Sequence, residues 1–376
     1  MRILLLTPRL PWPPSDGGRV AMSRLAQSLA ACGAEVEILS LNPRKHRGTP
    51  QGPLPIQAVD IDTSRKLVTA LRVPYIVARF VSRAYRDALR MTLRRFQPDV
   101  VQIESPFLLP YAATVREESG ARLVLRSLNV ECRIWEGLAR LERGGLRRLA
   151  LRHVASSMRA YELRSMQRLD AIVPISEADA ADFRTLGVTP PMYVVPCGVT
   201  VNPASDAARP GTVGFIGSLD FLPNQDAVRW ILDELWPRVV EQEPAARLSI
   251  AGSSPPAWLR ERVHGDIADA VMFFRENAVI IAPLFAGGGM RIKVLEAMAL
   301  GKAVVATTIG AGGIDVEDGR DIVLADDAAS FANAVVRLLR EPGTAARIGE
   351  AARAKAAQRY DSDTLARGLL RFYESL

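Results

Sequence analysis

The sequence predicts an α/β protein made of two doubly wound domains with parallel sheets. Three observations carry this. Short apolar runs of strand length alternate with helix-period stretches in both halves of the chain. Between them, at 200–210, TVNPASDAARP shifts the composition to Pro, Ala and polar residues, as a linker does. The chain's 376 residues are also more than one ordinary domain uses. The expected division is 1–205, 206–358, and a final helical segment, 359–376, that packs back toward the N-terminal domain.

Taken in order, residues 2–7 form the first apolar strand, and Pro11–Gly18 a rigid, then flexible loop that opens onto a helix from about Val20 to Ala31. Strands are expected at Glu35–Leu41, Ile56–Val59, Val100–Ile103, Leu123–Arg126, Ala171–Pro174 and Tyr193–Val195. Two basic, amphipathic helical regions interrupt them, Ser64–Arg95 and Arg133–Arg168. After the linker come strands at Thr212–Gly217, Ala246–Ala251, Val279–Ala282, Ala303–Ala306 and Ile322–Ala325. Helices are expected at Asn224–Val240, Ala328–Arg340, Thr344–Arg359 and Asp363–Tyr373. Ligands of such sheets bind at the carboxyl ends of strands, which puts Pro11–Gly18, the Ser127–Glu131 turn and Ser176 on one rim.

Composition bounds the function. With 48% hydrophobic and 24% charged residues, the chain reads as soluble and globular, and no apolar run is long enough to span a bilayer. Met1–Pro8 resembles a secretory h-region only briefly, because Pro11–Pro14 and Asp16 cut it off. Three distant cysteines, Cys32, Cys132 and Cys197, argue against a disulfide framework or zinc site and read as small buried residues of a cytoplasmic protein. Residues 1–200 carry a net charge of +11 and residues 201–376 one of −4. The basic half lacks the aromatic and basic interleaving of nucleic-acid binders, so an acidic acceptor or an anionic membrane at the inner face of the plasma membrane is the expected partner, and nucleic acid is not.

The stretch that carries chemistry is Ala282–Thr307, APLFAGGGMRIKVLEAMALGKAVVAT: strand, glycine loop, helix, strand. Gly287, Gly288 and Gly289 let backbone N–H groups face an oxyanion, the helix N-terminus adds partial positive charge, and Arg291 and Lys293 add two full charges. Glu296 follows one turn later, placed to accept hydrogen bonds from a ribose diol. Singly, the glycines are a flexible turn, the cations a solvated first turn and Glu296 a surface residue; as one string between two strands they read as a nucleotide-sugar site. Gly301-Lys302 is followed by Ala303 and not by the Ser or Thr of a P-loop, and no G-x-G-x-x-G opens a helix, which disfavours P-loop and nicotinamide chemistry.

These residues resemble the retaining glycosyltransferases of family 4 (glycosyltransferase group 1), most closely a bacterial exopolysaccharide and surface-glycan branch. The resemblance rests on TPRLPWPPSDGG near the N-terminus, LRSLNVE at Leu125–Glu131, DAIVPISEADA at Asp170–Ala180, VVPCGV at Val194–Val199, GFIGSLDFLPNQDAVRW at Gly214–Trp230, the glycine-loop stretch, and IGAGGIDVEDGRDIVLADD at Ile309–Asp327. It implies the GT-B fold, two Rossmann-like domains facing across a cleft, and transfer of a hexose from a nucleoside diphosphate sugar, such as a UDP- or GDP-sugar, without a metal or other cofactor. It further implies Arg291, Lys293 and Glu296 as the catalytic group, and donor contacts from Gly17, Gly18, Gly217, Gly287, Gly288, Gly289, Met290, Arg291, Lys293, Leu295 and Glu296. Arg126, Asn129 and Glu131 fall on the side of a glycan or lipid-linked acceptor.

Three departures from the family pattern stand out. Its usual pair of glutamates is reduced to Glu296, the other position being Gly288; a common histidine is replaced by Leu128; and Gly217–Asp226 lacks the usual Arg and Lys, which places charge compensation on Arg291 and Lys293. Leu259–Ile267 is also short for the family, as if one strand were trimmed. Two alternatives stay open at this point: a nucleotide-sugar 2-epimerase of the same plan, and a non-catalytic, partner-dependent subunit.

Overall fold

A computed structural model of the chain describes residues 1–44, 47–63, 73–142, 144–201, 208–261, 263, 270–286 and 289–376. By contact the chain divides into two units, Met1–Pro14 with Gly18–Pro196 and Ser362–Leu376, and Ser15–Gly17 with Cys197–Asp361.

The first unit is built on strands β1 (Arg2–Thr7), β2 (Glu35–Pro43), β3 (Ile56–Ile61), β4 (Val100–Ile103), β5 (Arg122–Ser127) and β6 (Ala171–Pro174), all parallel, in the order β3-β2-β1-β4-β5-β6. Its helices are α1 (Gly17–Ala31), α2 (Tyr75–Ala78), α3 (Arg83–Phe96), α4 (Ala112–Glu118), α5 (Glu131–Leu141), α6 (Gly145–Met166) and α7 (Glu177–Thr185). Helices cover both faces of a parallel sheet, so alternate residues of one strand enter different cores. Leu4 and Leu6 pack with Leu39, Val101 and Leu125, whereas Ile3 and Leu5 pack with Ile38, Val100 and Val124. This is why the strands read as unbroken apolar runs in the sequence.

The second unit has β7 (Arg209–Ile216), β8 (Arg247–Ala251), β9 (Asn277–Ala282), β10 (Ala303–Ala306) and β11 (Val323–Leu324), again parallel, in the order β11-β10-β9-β7-β8. Helices α8 (Leu222–Trp230), α9 (Trp236–Gln242), α10 (Ala270–Glu276), α11 (Ile292–Ala299), α12 (Ala328–Arg340) and α13 (Pro342–Tyr360) flank it. The last helix, α14 (Ser362–Glu374), belongs to the first unit, where Ala366, Leu369 and Tyr373 join the core of Ile3 and Leu5. A buried polar chain fixes it: Tyr373 OH donates to Gln102, Gln102 to Glu104, and Arg126 Nη1 to Glu104 Oε2 at 3.0 Å.

Several expectations need correction. The single helix expected at Asn224–Val240 is broken by a π-helical stretch, Ile231–Leu235, just before Pro237, whose ring and missing N–H forbid a regular α-turn there. Tyr193–Val195 runs beside β6 without forming a strand: Tyr193 N donates to Ile172 O and Val195 N to Pro174 O, but Pro190, Pro191 and Pro196 deny the ladder further donors. Cys132 and Cys197 are buried, but Cys32 is half-exposed at the end of α1. The basic region at Arg133–Arg168 is a helical hairpin, α5 turning into α6. Residues 64–72 of the other basic region, 202–207 of the linker, and 262 and 264–267 of the shortened stretch lie outside the described residues.

Candidate functional site: a cationic cradle at the ends of β7 and β9

In the second sheet the chain moves from β7 outward to β8, then returns to lay β9 on the other side of β7. The carboxyl ends of β7 and β9 therefore form the switch point at which open α/β sheets bind ligands. Two segments leave it: 217–221, leading from β7 into α8, and 283–291, leading from β9 into α11.

Lys293, in the first turn of α11, reaches across that switch. Its Nζ donates to Asn224 Oδ1 at 2.9 Å and lies 4.4 Å from the centre of the Phe215 ring. Asn224 is itself fixed at the start of α8, because its Nδ2 donates to Ser218 O at 2.7 Å. Burial, reinforced by the nearby Arg291 guanidinium, pushes the Lys293 ammonium down to about 7. Gly217 is the space for this arrangement, since a Cβ there would lie 2.7 Å from Lys293 Nζ and 2.9 Å from Asn224 Cγ. Gly252, at the end of β8, is needed in turn: its Cβ would fall 1.8 Å from Gly217 O. Gly217 thus enters the site by making room for a cation.

Arg291 stands one residue before α11 as its N-cap, not inside the helix as expected. It is partly buried, its Nη2 donates to Ala286 O at 3.3 Å, and burial lowers its affinity for a proton. Gly289 takes a left-handed φ of 73°, which turns the chain into Met290 and Arg291 and which a residue with a Cβ adopts only under strain. Glu296 lies one turn into α11 and is half-buried, while Leu295 is fully buried and packs the helix to the core. Gly287 and Gly288 lie outside the described residues.

The segment after β10 closes against this loop. Thr307 Oγ1 accepts from Gly310 N at 2.9 Å and donates to Leu284 O. A Cβ on Gly310 would meet Ala282 O at 2.0 Å, and one on Gly313 would meet Met290 Cα at 3.0 Å. Residues 307–313 are therefore a backing wall for the glycine loop, set by glycines whose role the sequence reading had not separated from the motif. Asn224 was missed for a related reason. It occupies the segment noted for lacking Arg and Lys, and only the fold brings it to Lys293.

On the first unit, the expected acceptor residues part company. Arg126 is 1% exposed, and besides pairing with Glu104 its Nη1 reaches Ala21 O at 3.3 Å, so it holds the interior together. Asn129 and Glu131 are half-exposed in the turn after β5, with Ser127 Oγ donating to Asn129 O at 2.6 Å. Glu162, from α6, is fully buried and its carboxylate accepts from the Glu131 and Cys132 N–H groups at 3.0 and 2.9 Å, satisfying the N-terminus of α5. Burial, with Glu162 beside it, pushes Glu131 up to about 7. Ser176 caps α7, accepting from Asp179 N at 3.1 Å. Gly17 and Gly18 open α1.

Comparison with known proteins follows the two units. Residues 16–198 match the model of a glycosyl transferase 4-like domain, and residues 210–341 that of glycosyl transferases group 1. The phosphatidyl-myo-inositol mannosyltransferase of Mycobacterium leprae is 32% identical over 202 residues, 48% of this chain and 53% of that protein. A 44.6 kDa protein in the cps region of Klebsiella pneumoniae is 27% identical over 143 residues, 32% of this chain and 35% of that one. The chain thus spans between about a third and about half the length of these curated relatives. Among solved structures, sucrose-phosphate synthase from Thermosynechococcus elongatus superposes with a TM-score of 0.73 at 15% identity, over 100% of this chain and 99% of that one. Anabaena HepE in complex with UDP gives 0.71 at 16%, over 100% of both. At such identities the likeness is one of fold.

Proposed function

Since the chain belongs to the group 1 glycosyl transferases, with a family 4-like N-terminal domain and the two-domain GT-B fold, we propose that it transfers a hexose from a nucleoside diphosphate sugar. The acceptor is a hydroxyl of a glycan or lipid-linked molecule, in surface-glycan synthesis at the inner face of the plasma membrane, and the anomeric configuration is retained. The observation that carries this is the Lys293 ammonium, held on Asn224 beside Arg291 at the N-terminus of α11. Two basic side chains and a helix end converge where a diphosphate is expected, and the diphosphate itself holds Lys293 in its charged form. That Anabaena HepE was solved with UDP, and that the mycobacterial relatives are mannosyltransferases, supports a nucleotide-sugar donor and a hexose.

Negative charge grows on the diphosphate as the glycosidic bond breaks. Cations and N–H groups already in place lower the barrier by stabilising that charge without reorganising, an effect worth several kcal/mol in other enzymes. Lys293, Arg291 and the loop through Gly289 and Met290 take this role. Glu296 accepts the ribose hydroxyls, so Glu296→Ala costs UDP more affinity than it costs free diphosphate. With the leaving phosphate as the base, the acceptor hydroxyl attacks from the side the donor leaves, and no metal is required. Incubation with UDP- and GDP-hexoses in EDTA, with proton NMR of the new glycoside, tests the proposal: an axial donor must give an axial product. An equatorial product would overturn retention, and sugar epimerised without an acceptor would overturn transfer.

A further inference from the structure

The α5–α6 hairpin carries an apolar tip that the first unit leaves uncovered. Leu138 and Leu141 lie in the last turns of α5, Leu146 and Leu149 in the first turns of α6, and they are 45, 71, 87 and 65% exposed. Single exposed leucines need no explanation, but four at one hairpin turn form a patch. Seven arginines against two glutamates occupy residues 133–160. Arg140 adjoins Leu141, Arg147 adjoins Leu146, and Arg152 follows Leu149 by about one turn. Arg133, Arg140, Arg152 and Arg159 also line, with Ser156, a groove between the two helices.

The other basic helix provides the contrast. On α3, Arg90 and Arg94 pair with Glu118 and Arg95 with Glu37, so three of its five arginines are spent inside the unit, and Met91 is its one exposed large apolar side chain. Among the described residues, Arg147, Arg152 and Arg159 make no ion pair. A partner must therefore be apolar against the leucines and anionic around them. A second copy of this chain fails that requirement, because a two-fold contact through the leucines would set arginine against arginine.

We infer that the α5–α6 hairpin docks on an anionic phospholipid surface, the four leucines entering the acyl boundary and Arg140, Arg147 and Arg152 meeting headgroup phosphates. The inference gives place to the membrane-facing part of the proposed function, but it stands on the first unit and is read separately from donor binding.

The test is cosedimentation with vesicles of phosphatidylcholine alone, and of phosphatidylcholine with phosphatidylglycerol as about a third of the lipid. The protein is expected to sediment with the anionic vesicles only and to be released by salt. Arg147→Gln with Arg152→Gln should weaken binding by about fivefold per arginine, and Leu141→Ser with Leu146→Ser by more than about tenfold. All four residues are solvent-facing, so circular dichroism and the heat of UDP binding should stay those of the parent. Absence of binding to anionic vesicles, or binding undiminished in both double variants, would overturn the inference. So would a dimer in sedimentation velocity that the leucine variants dissolve. Failure of UDP binding in the parent protein would instead count against the donor site.

Discussion

Lys293 and Asn224, 69 positions apart in the chain, share a 2.9 Å hydrogen bond across the ends of β9 and β7. Half the positive charge of the proposed donor site thus hangs on an amide from a different element, in a space that exists only because residue 217 is glycine. The pair is a donor and an acceptor with no net charge beyond the ammonium, and so the cation is positioned without being neutralised.

The depressed ammonium makes donor binding proton-linked. With the empty-site group near 7, Lys293 is largely neutral at pH 8.5 or so, and a diphosphate draws it back toward its ordinary 10.5. Binding should then take up a proton above about pH 7, and affinity should fall by up to about tenfold per pH unit. Calorimetry of UDP in two buffers of different ionisation heat reads the uptake directly. In Lys293→Met the uptake should vanish.

Gly217→Ala should strike the site and spare the fold. The new methyl would displace both Lys293 Nζ and Asn224, which should weaken UDP binding by about tenfold or more through loss of a charge-assisted contact. The melting temperature should move little by comparison. A variant that melts far below the parent yet binds UDP normally would show that Gly217 serves packing alone.

Arg126→Ala should behave in the opposite way. It leaves Glu104 buried without its guanidinium, a loss of about 3–5 kcal/mol, and it cuts the chain that reaches Tyr373 on α14. Thermal unfolding should show a large drop, while UDP affinity of the folded fraction stays unchanged.

Glu131 gives a stability signature. Its carboxyl is raised from 4.5 to about 7, so the folded state holds a proton that the unfolded state releases. The stabilisation from that proton is complete below about 4.5 and is lost as pH rises through about 7. For a half-exposed side chain this amounts to ~1 kcal/mol. Urea unfolding at pH 5 and pH 8 should show this decline in the parent, and Glu131→Gln should flatten it.

Nearly every strand was legible in the sequence, since a parallel sheet covered on both faces demands apolar runs such as Ile3–Leu6 and Val304–Ala306 whatever their partners. The stretch with Arg291, Lys293 and Glu296 stands out in the sequence because its pattern is local, and its role at a donor site is what the proposed function adds. What could not be read was the company these residues keep. Asn224 has no sequence link to Lys293, Glu104 none to Arg126, and Glu162 none to the turn at Glu131; each pairing follows from strand order. Arg126 illustrates the limit. The resemblance put it on the acceptor side, but alternation along β5 turns its side chain into the interior.

The most direct measurement is isothermal calorimetry of UDP, GDP and their common hexose conjugates, in EDTA, with the parent protein and Arg291→Ala. The parent is expected to bind one nucleotide family, with an affinity about 10- to 100-fold lower once the guanidinium is gone. Equal binding by both proteins, or binding of no nucleotide by the parent, would contradict a donor site at the N-terminus of α11.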